Sequence, residues 1–342
     1  RINRYHKKSC MTFKYLLTIG CILALQSLVM AQDVHFTRFY DAPTTISPAK
    51  TGDYLGTFRA GATMRDQNYN LSHIYLTPAG YIDAPLIRGF RANHWVGVGL
   101  TFLMDQAGAA GLRTGAFTGS AAYHIGFNKK TSSYLSIGLS YSLAARSVVD
   151  KDKAIFYDGL INSIPSADLE NINDEKVNYG YYSAGLQYTG GLNNGGQFKA
   201  GVAMMYLNRP RNGVIKSAGL RMPLRTNAYV TTDIPVADRI DILPAVYYAT
   251  MAKQNDIAMQ MQAGFRINPS KGQRLIGGLG YRFGDAIQIL LGMDIKNTRI
   301  GLAYDLTMNE IKPTGAFELS VSHIFMIYKK PKDNPIILCP RI

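Results

Sequence analysis

The chain has 342 residues, of which 47% are hydrophobic and 18% are charged, and its formal net charge is +14. A low charge content with 33 glycines and 22 tyrosines is typical of strands that turn one face to lipid and the other to a polar interior. The basic excess is not gathered on a Lys/Arg-rich helix, so we expect no nucleic-acid partner.

The amino terminus has the layout of a secretory signal peptide. Lys14 precedes the apolar run 15–25, and residues 29–31 place small side chains at the −3 and −1 positions of a cleavage site. We predict cleavage after Ala31, so that 1–31 comprises the signal peptide and an upstream extension before Met11.

Removal of residues 1–31 leaves 32 basic residues, 23 acidic residues and one cysteine, Cys339. An intramolecular disulfide and a cysteine metal site are therefore excluded. Cys21 lies inside the apolar run, which disfavours a lipoprotein. No later apolar stretch reaches the ~18 residues of a transmembrane helix. An exported chain of this kind is periplasmic, secreted or an outer-membrane barrel.

Apolar residues alternate with polar or very small ones along the rest of the chain, a pattern that indicates strands with two different faces. The clearest example is the segment 299–308. Its apolar face consists of Ile300, Leu302, Tyr304, Leu306 and Met308. Its polar or small face consists of Arg299, Gly301, Ala303, Asp305 and Thr307.

About fourteen such strands are separated by turn residues, and an even number suits a bacterial single-chain barrel. Their predicted positions are 54–65, 71–81, 94–104, 112–124, 133–146, 177–189, 197–207, 225–234, 240–251, 255–267, 273–284, 286–296, 298–308 and 315–328. We predict an all-β protein, an antiparallel transmembrane β-barrel over 54–328. A periplasmic or plug segment, 32–53, precedes it, and a periplasmic tail, 329–342, follows it.

Connection lengths suggest an orientation. The two longest connections, 148–176 and 208–221, both follow odd-numbered strands. They would be extracellular if both termini lie in the periplasm, because bacterial barrels have short periplasmic turns.

No motif predicts catalysis, a cofactor or a metal site. The histidines show no metal-ligand spacing, and nothing pairs a serine with His94 or His323 as a hydrolase would need. The glycines of 277–281 lack the Lys-Ser/Thr of a phosphate loop. The acidic loop 150–175 lacks EF-hand spacing, so a solvated loop is preferred to a calcium site.

Charged residues on the predicted polar faces would lie in the barrel lumen. The cations are Arg59, Arg65, Arg113, Lys199, Arg266, Arg282, Lys296 and Arg299, and the acids are Asp294, Asp305 and Glu318. Such charges either pair to fill the interior, which we favour, or line an anion-preferring channel.

Several short motifs in a fixed order resemble the PorP/SprF family. At the start, 32–40 and 46–52 resemble its Q-D-x-x-F-x-x-Y and N-P-A-x-x-G patterns, although Ser47 and Lys50 depart from them. Further matches are Val98-Gly99-Leu100, Asp105-Gln106-Ala107-Gly108, 122–125, 207–210, 280–286, 300–305, 317–320 and Cys339-Pro340-Arg341.

The resemblance implies an outer-membrane, multi-pass barrel of the type IX secretion and gliding machinery of Bacteroidota, without enzymatic activity or cofactors. Family members assist export of large secreted proteins, including adhesins, and are thought to receive a C-terminal sorting domain and hold it at the cell surface. Implied partners include periplasmic ring components, a peptidoglycan-binding lipoprotein and outer-membrane lipid. A diffusion porin for small solutes, general or anion-preferring, is the alternative.

Two segments are candidate partner-binding sites. The far C-terminal residues are one, because three prolines prevent a further regular strand and an apolar cluster follows a basic stretch. This tail would fold back as a plug, dock a periplasmic partner or be disordered. Its candidate residues are Ile336, Ile337, Leu338, Cys339, Pro340 and Arg341, and the second candidate site consists of Asp105 and Gly108.

Overall fold

The computed structural model describes residues 34–67, 75–88, 93–108, 110–127, 133–150, 176–192, 195–213, 221–308 and 315–327. Within these ranges, fourteen antiparallel strands close into one barrel, and each pairs with its neighbours in sequence. The predicted all-β class, antiparallel barrel and strand number are confirmed. The predicted signal peptide and C-terminal tail lie outside the described residues.

The strands are β1 (Phe58–Gln67), β2 (Leu76–Arg88), β3 (His94–Ala107), β4 (Leu112–Gly126), β5 (Tyr134–Val148), β6 (Val177–Gly191), β7 (Gln197–Met205), β8 (Arg225–Ala237), β9 (Ile240–Met251), β10 (Gln254–Asn268), β11 (Gln273–Arg282), β12 (Ala286–Ile295), β13 (Thr298–Thr307) and β14 (Ala316–Phe325). We call the end of the barrel where β1 begins and β14 ends the terminal end, and the opposite end the far end. The longest connections, after β5 and β7, lie at the far end.

Closure joins the first strand to the last. β1 pairs with β14 from Phe58 opposite Phe325 to Gln67 opposite Ala316. A closed barrel leaves no edge strand with unpaired backbone groups, which is the condition for β-structure to cross lipid.

The period-2 pattern becomes an apolar outside and a polar or small inside. On β13, Ile300 and Leu302 are exposed, whereas Gly301, Ala303 and Asp305 are buried. The outward row is therefore suited to hydrocarbon, and the inward row faces the lumen.

The second strand differs most from its predicted position, 71–81, because β2 spans Leu76–Arg88. Pro85 lies in the half of β2 that is nearer the terminal end, beside a register shift between Pro85 and Ile87. A proline is tolerated at such an irregularity because the ladder does not need its missing N–H.

Residues 34–53, which we call the plug segment, lie inside the barrel. The segment contains a short α-helix, α1 (Pro43–Ile46), and a 3-10 helix, Pro48–Lys50. Phe39 is almost fully buried and stacks on Tyr247 of β9, with ring centroids 5.0 Å apart. The interior is therefore occupied by the chain's own backbone and side chains.

Small residues on the strands make room for this segment. A Cβ atom added at Gly138 of β5 would clash with the backbone of Pro48 and Ala49, whereas one added at Gly119 of β4 would meet nothing within 4 Å. Glycine at position 138 thus permits close approach of the plug segment to the wall.

We expect Gly138→Val to destabilise the barrel by about 1–3 kcal/mol, the usual cost of overpacking. Thermal unfolding of the purified barrel in detergent measures this effect. Gly119→Val is the matched control and should unfold close to the wild-type temperature. Equal losses in both variants would contradict close packing of the plug segment against β5.

Candidate functional site

Two carboxylates anchor the start of the plug segment near the far end. Glu318, which is fully buried, accepts the backbone N–H groups of Thr37 and Arg38 at 2.6 and 2.8 Å. Asp305 accepts the Thr37 hydroxyl at 2.8 Å and Arg65 Nη2 at 2.8 Å. The carboxylates satisfy donors that have no strand partner, and hydrogen bonds to charged acceptors are the stronger kind.

A third carboxylate holds the end of the plug segment near the terminal end. Asp83 Oδ2 accepts the Gly52 N–H at 2.7 Å, and Arg59 donates to both oxygens of Asp83 at 2.9 and 2.7 Å. The indole N–H of Trp95 donates to the Gly52 carbonyl at 3.0 Å. Both backbone polar groups of Gly52 are therefore bonded to side chains of the wall.

His124 has a positioning role in the same region. Its Nε2 lies 2.9 Å from the Thr51 carbonyl oxygen, and its Nδ1 lies 2.6 Å from the Ser136 hydroxyl. Because a carbonyl only accepts, Nε2 carries the proton and Nδ1 accepts from Ser136. The ring stacks on Trp95 with centroids 4.5 Å apart. This histidine is fully engaged in packing and hydrogen bonding.

Strands on other sides of the barrel also bind the plug segment. Asp53 accepts from Lys199 Nζ at 2.6 Å and from Gln187 Nε2 at 2.8 Å. Asn227 Nδ2 donates to the Ile46 carbonyl at 3.0 Å. Together with the contacts to β14, β13 and β2, these bonds fasten the segment to strands all around the lumen.

Ion pairs that do not involve the plug segment join strands β8 to β13 at the terminal end. Arg274 is central, because it contacts three carboxylates. The pairs are Arg274 with Asp233 at 2.8 Å, Asp241 at 3.1 Å and Asp294 at 2.9 Å, Arg266 with Asp241 at 2.6 Å, and Arg299 with Asp294 at 2.7 Å.

Most of the predicted lumen charges face inward and form ion pairs. These residues are Arg59, Arg65, Lys199, Arg266, Arg282, Arg299, Asp294, Asp305 and Glu318.

For two cations the prediction was wrong. Arg113 is exposed on the outward row of β4, in step with Phe117, and donates to Gln106 Oε1 at 3.0 Å. Lys296 is exposed in the β12–β13 turn with a φ of 56°. A shift of one residue in strand phase moves a side chain from the lumen face of the strand to the lipid face, and a residue in a turn belongs to neither face.

The two predicted partner-binding sites are placed differently. Asp105 is at the far end of β3 and accepts the Thr77 hydroxyl at 2.6 Å, and Gly108 follows it in the β3–β4 turn with a φ of 80°. Residues 336–341 lie outside the described part of the chain.

Several important lumen groups were not identified from the sequence. Asp83 lies beyond the predicted end of the second strand, although it shares the inward phase of Tyr81 within the true strand. Lys50 and Asp53 belong to the plug segment, where no periodicity marks the side that contacts the wall. Arg274 and Asp241 lie on inward positions of predicted strands, and this phase could have revealed them.

Two cavities remain beside the plug segment. The larger, of about 280 Å³, lies toward the terminal end and is lined by Lys50, Asp53, Arg59, Lys199 and Arg299 among others. The smaller, of about 90 Å³, lies between the plug segment and the hydroxyl-rich inner faces of β3 to β6.

Two further features bear on the kind of site present. No helix in the described ranges is long and apolar enough to cross a membrane. Across the same residues, no group of three or more His, Cys, Asp or Glu side chains is arranged to hold a metal ion.

A family model described as type IX secretion system membrane protein PorP/SprF matches residues 28–323. Among solved structures, a deltaS2S3 mutant of the TodX monoaromatic hydrocarbon channel is 11% identical to this chain, and the match covers 83% of this chain and 94% of that chain. Its TM-score is 0.50, and the similarity is one of fold alone. The P. putida toluene transporter TodX is 11% identical over 82% and 93% of the two chains, with a TM-score of 0.48. The KdgM porin is 10% identical over 78% and 99%, with a TM-score of 0.39. No curated protein matches.

Glu318→Gln should loosen the plug segment. One acceptor oxygen becomes an NH₂ donor that faces backbone N–H groups, and the loss of a charge-assisted hydrogen bond costs about 1.5–3 kcal/mol. We expect new cleavage within residues 34–53, measured by limited proteolysis and mass spectrometry of the folded barrel.

Asp294→Asn is the control for that experiment, because Asp294 pairs with Arg274 and Arg299 of the wall. It should leave the plug segment protected. Protection of the segment in Glu318→Gln to the wild-type level would contradict the anchoring role of Glu318.

Proposed function

This chain belongs to the type IX secretion system membrane protein family PorP/SprF, and from this membership we propose that it assists export and surface attachment of large secreted proteins, such as adhesins, through their C-terminal sorting domain. The family and the closed barrel fold are those of an outer-membrane component of a secretion system, not of a known enzyme class. Membership implies other secretion components as partners.

The filled lumen is the observation that carries this proposal. The plug segment is bonded to strands around the interior, and its burial leaves small cavities beside it. A barrel of this kind is better suited to hold protein partners at its two ends than to pass solutes through its middle.

The far end is the side proposed to receive the secreted protein. It carries the longest connections, which in bacterial barrels are extracellular. Asp105 and Gly108 lie at this rim and would contribute to the contact with the sorting domain.

Residues 329–342 are proposed to dock periplasmic partners, namely ring components and a peptidoglycan-binding lipoprotein. β14 ends at the terminal end, where Met326 and Ile327 are exposed. The described part of the chain therefore ends beside the short turns that would face the periplasm. Its apolar cluster, followed by Cys339, Pro340 and Arg341, would supply the contact.

Affinity purification of the full-length barrel from its native membrane after crosslinking tests both contacts. We expect a large secreted protein with a C-terminal sorting domain, together with periplasmic partners. Deletion of 331–342 should remove the periplasmic partners and keep a heat-modifiable barrel with its secreted partner. Recovery of no secreted protein would contradict the export role, and unchanged recovery of periplasmic proteins would contradict docking by the tail.

An anion-preferring diffusion porin is the second candidate, and the cations around the larger cavity are the observation that favours it. Planar-bilayer recording separates the two functions. Because the plug segment fills the lumen, we expect the wild-type barrel to show no steady conductance, and Glu318→Gln to show intermittent openings. Steady anion-selective conductance of the wild type would favour the porin.

A further inference from the structure

One of the basic side chains that line the larger cavity has no carboxylate partner in the surrounding wall. Five cations line it, and four have a carboxylate partner within 3 Å. The pairs are Arg38 with Asp41 at 2.6 Å, Arg59 with Asp83 at 2.7 Å, Lys199 with Asp53 at 2.6 Å, and Arg299 with Asp294 at 2.7 Å.

Lys50 is the fifth cation. It is 5% exposed, and its Nζ lies 4.2 Å from the centroid of the Tyr229 ring. Within the described residues, its ammonium has no hydrogen bond and no carboxylate within 4.0 Å. A cation–π contact offsets only part of the cost of burying an ammonium group, which is normally paired when buried.

The groups around Lys50 do not supply the missing charge. Burial lowers the pKa of the Lys50 ammonium group to about 7; of the charges that act on it, Lys199 lowers the pKa, Asp53 raises it and Arg59 lowers it. Two of these are cations, and Asp53 already accepts from Lys199 and Gln187. The two acids of the cavity wall, Asp53 and Asp233, are both paired.

The cavity is large enough to hold a ligand. Its volume is about 280 Å³, whereas ~10–15 Å³ suffices for one water. Neutral hydrogen-bonding side chains, including Gln197, Thr231 and Gln262, complete the wall. Asp233 at the margin has a side chain that is 42% exposed, so the cavity communicates with the terminal end.

We propose that this cavity is a binding site for one small oxyanion, a carboxylate or a phosphate, which pairs with Lys50 and is held near Arg59 and Lys199. The anion supplies the single negative charge that the paired wall lacks. The site lies between the plug segment and the wall, so an occupied site would tie the two together. This inference does not depend on the export role.

Thermal unfolding of the purified full-length barrel in detergent tests the site. Sodium phosphate replaces sodium chloride at constant ionic strength, and acetate is titrated in parallel to separate a phosphate preference from a carboxylate preference. Because a ligand of the folded state stabilises it by mass action, we expect at least one oxyanion to raise the Tm of the wild type in a saturable manner.

Lys50→Met should weaken the apparent affinity for that anion at least tenfold, and Lys50→Arg should retain it. Lys271→Met is the control, because Lys271 is exposed in a turn outside the cavity, and it should behave as the wild type. Absence of an anion-dependent shift in the wild type, or an equal shift in Lys50→Met, would overturn the proposal.

Selenate soaked into crystals of the wild-type barrel gives an independent readout if Lys50→Met fails to fold. We expect an anomalous peak within hydrogen-bonding distance of Lys50 Nζ. Selenate bound only at other places would overturn the proposal.

Discussion

A backbone segment enclosed in a β-barrel must find hydrogen-bond partners that are not strands, and this constraint organises the interior of the protein. The wall has already used its own N–H and C=O groups in the closed ladder. Side chains must therefore bind the plug segment. Glu318 accepts two consecutive N–H groups, and Asp83 and Trp95 bind both polar groups of Gly52.

The lumen charges follow from the same constraint. A carboxylate buried to bind the plug segment needs a cation to offset its desolvation, and Asp305 and Asp83 have Arg65 and Arg59 for this purpose. These four charges, which could suggest an ion pathway, are thus part of the packing of the plug segment. Lys50 is different because the wall provides no carboxylate for it, and the adjoining space is a cavity.

The strand pattern was predictable because lipid and lumen make opposite demands on alternate residues. The alternation on β13 identified Asp305 and Arg299 as inward-facing residues without knowledge of their partners. The same method was wrong for Arg113, where the strand phase was misjudged, and for Lys296, which belongs to a turn. It also missed Asp83, because the predicted second strand ended at residue 81, whereas β2 continues to Arg88.

The sequence by itself determined the all-β class, the number of strands and their two faces, since each strand records its own contact with lipid in its local periodicity. The tertiary structure alone decided which polar groups meet in the lumen. Thr37 and Glu318 are 281 residues apart, and no local pattern encodes such a pair. The plug segment has no periodic sequence pattern either. The barrel wall surrounds it on all sides, so its side chains do not alternate between two distinct environments.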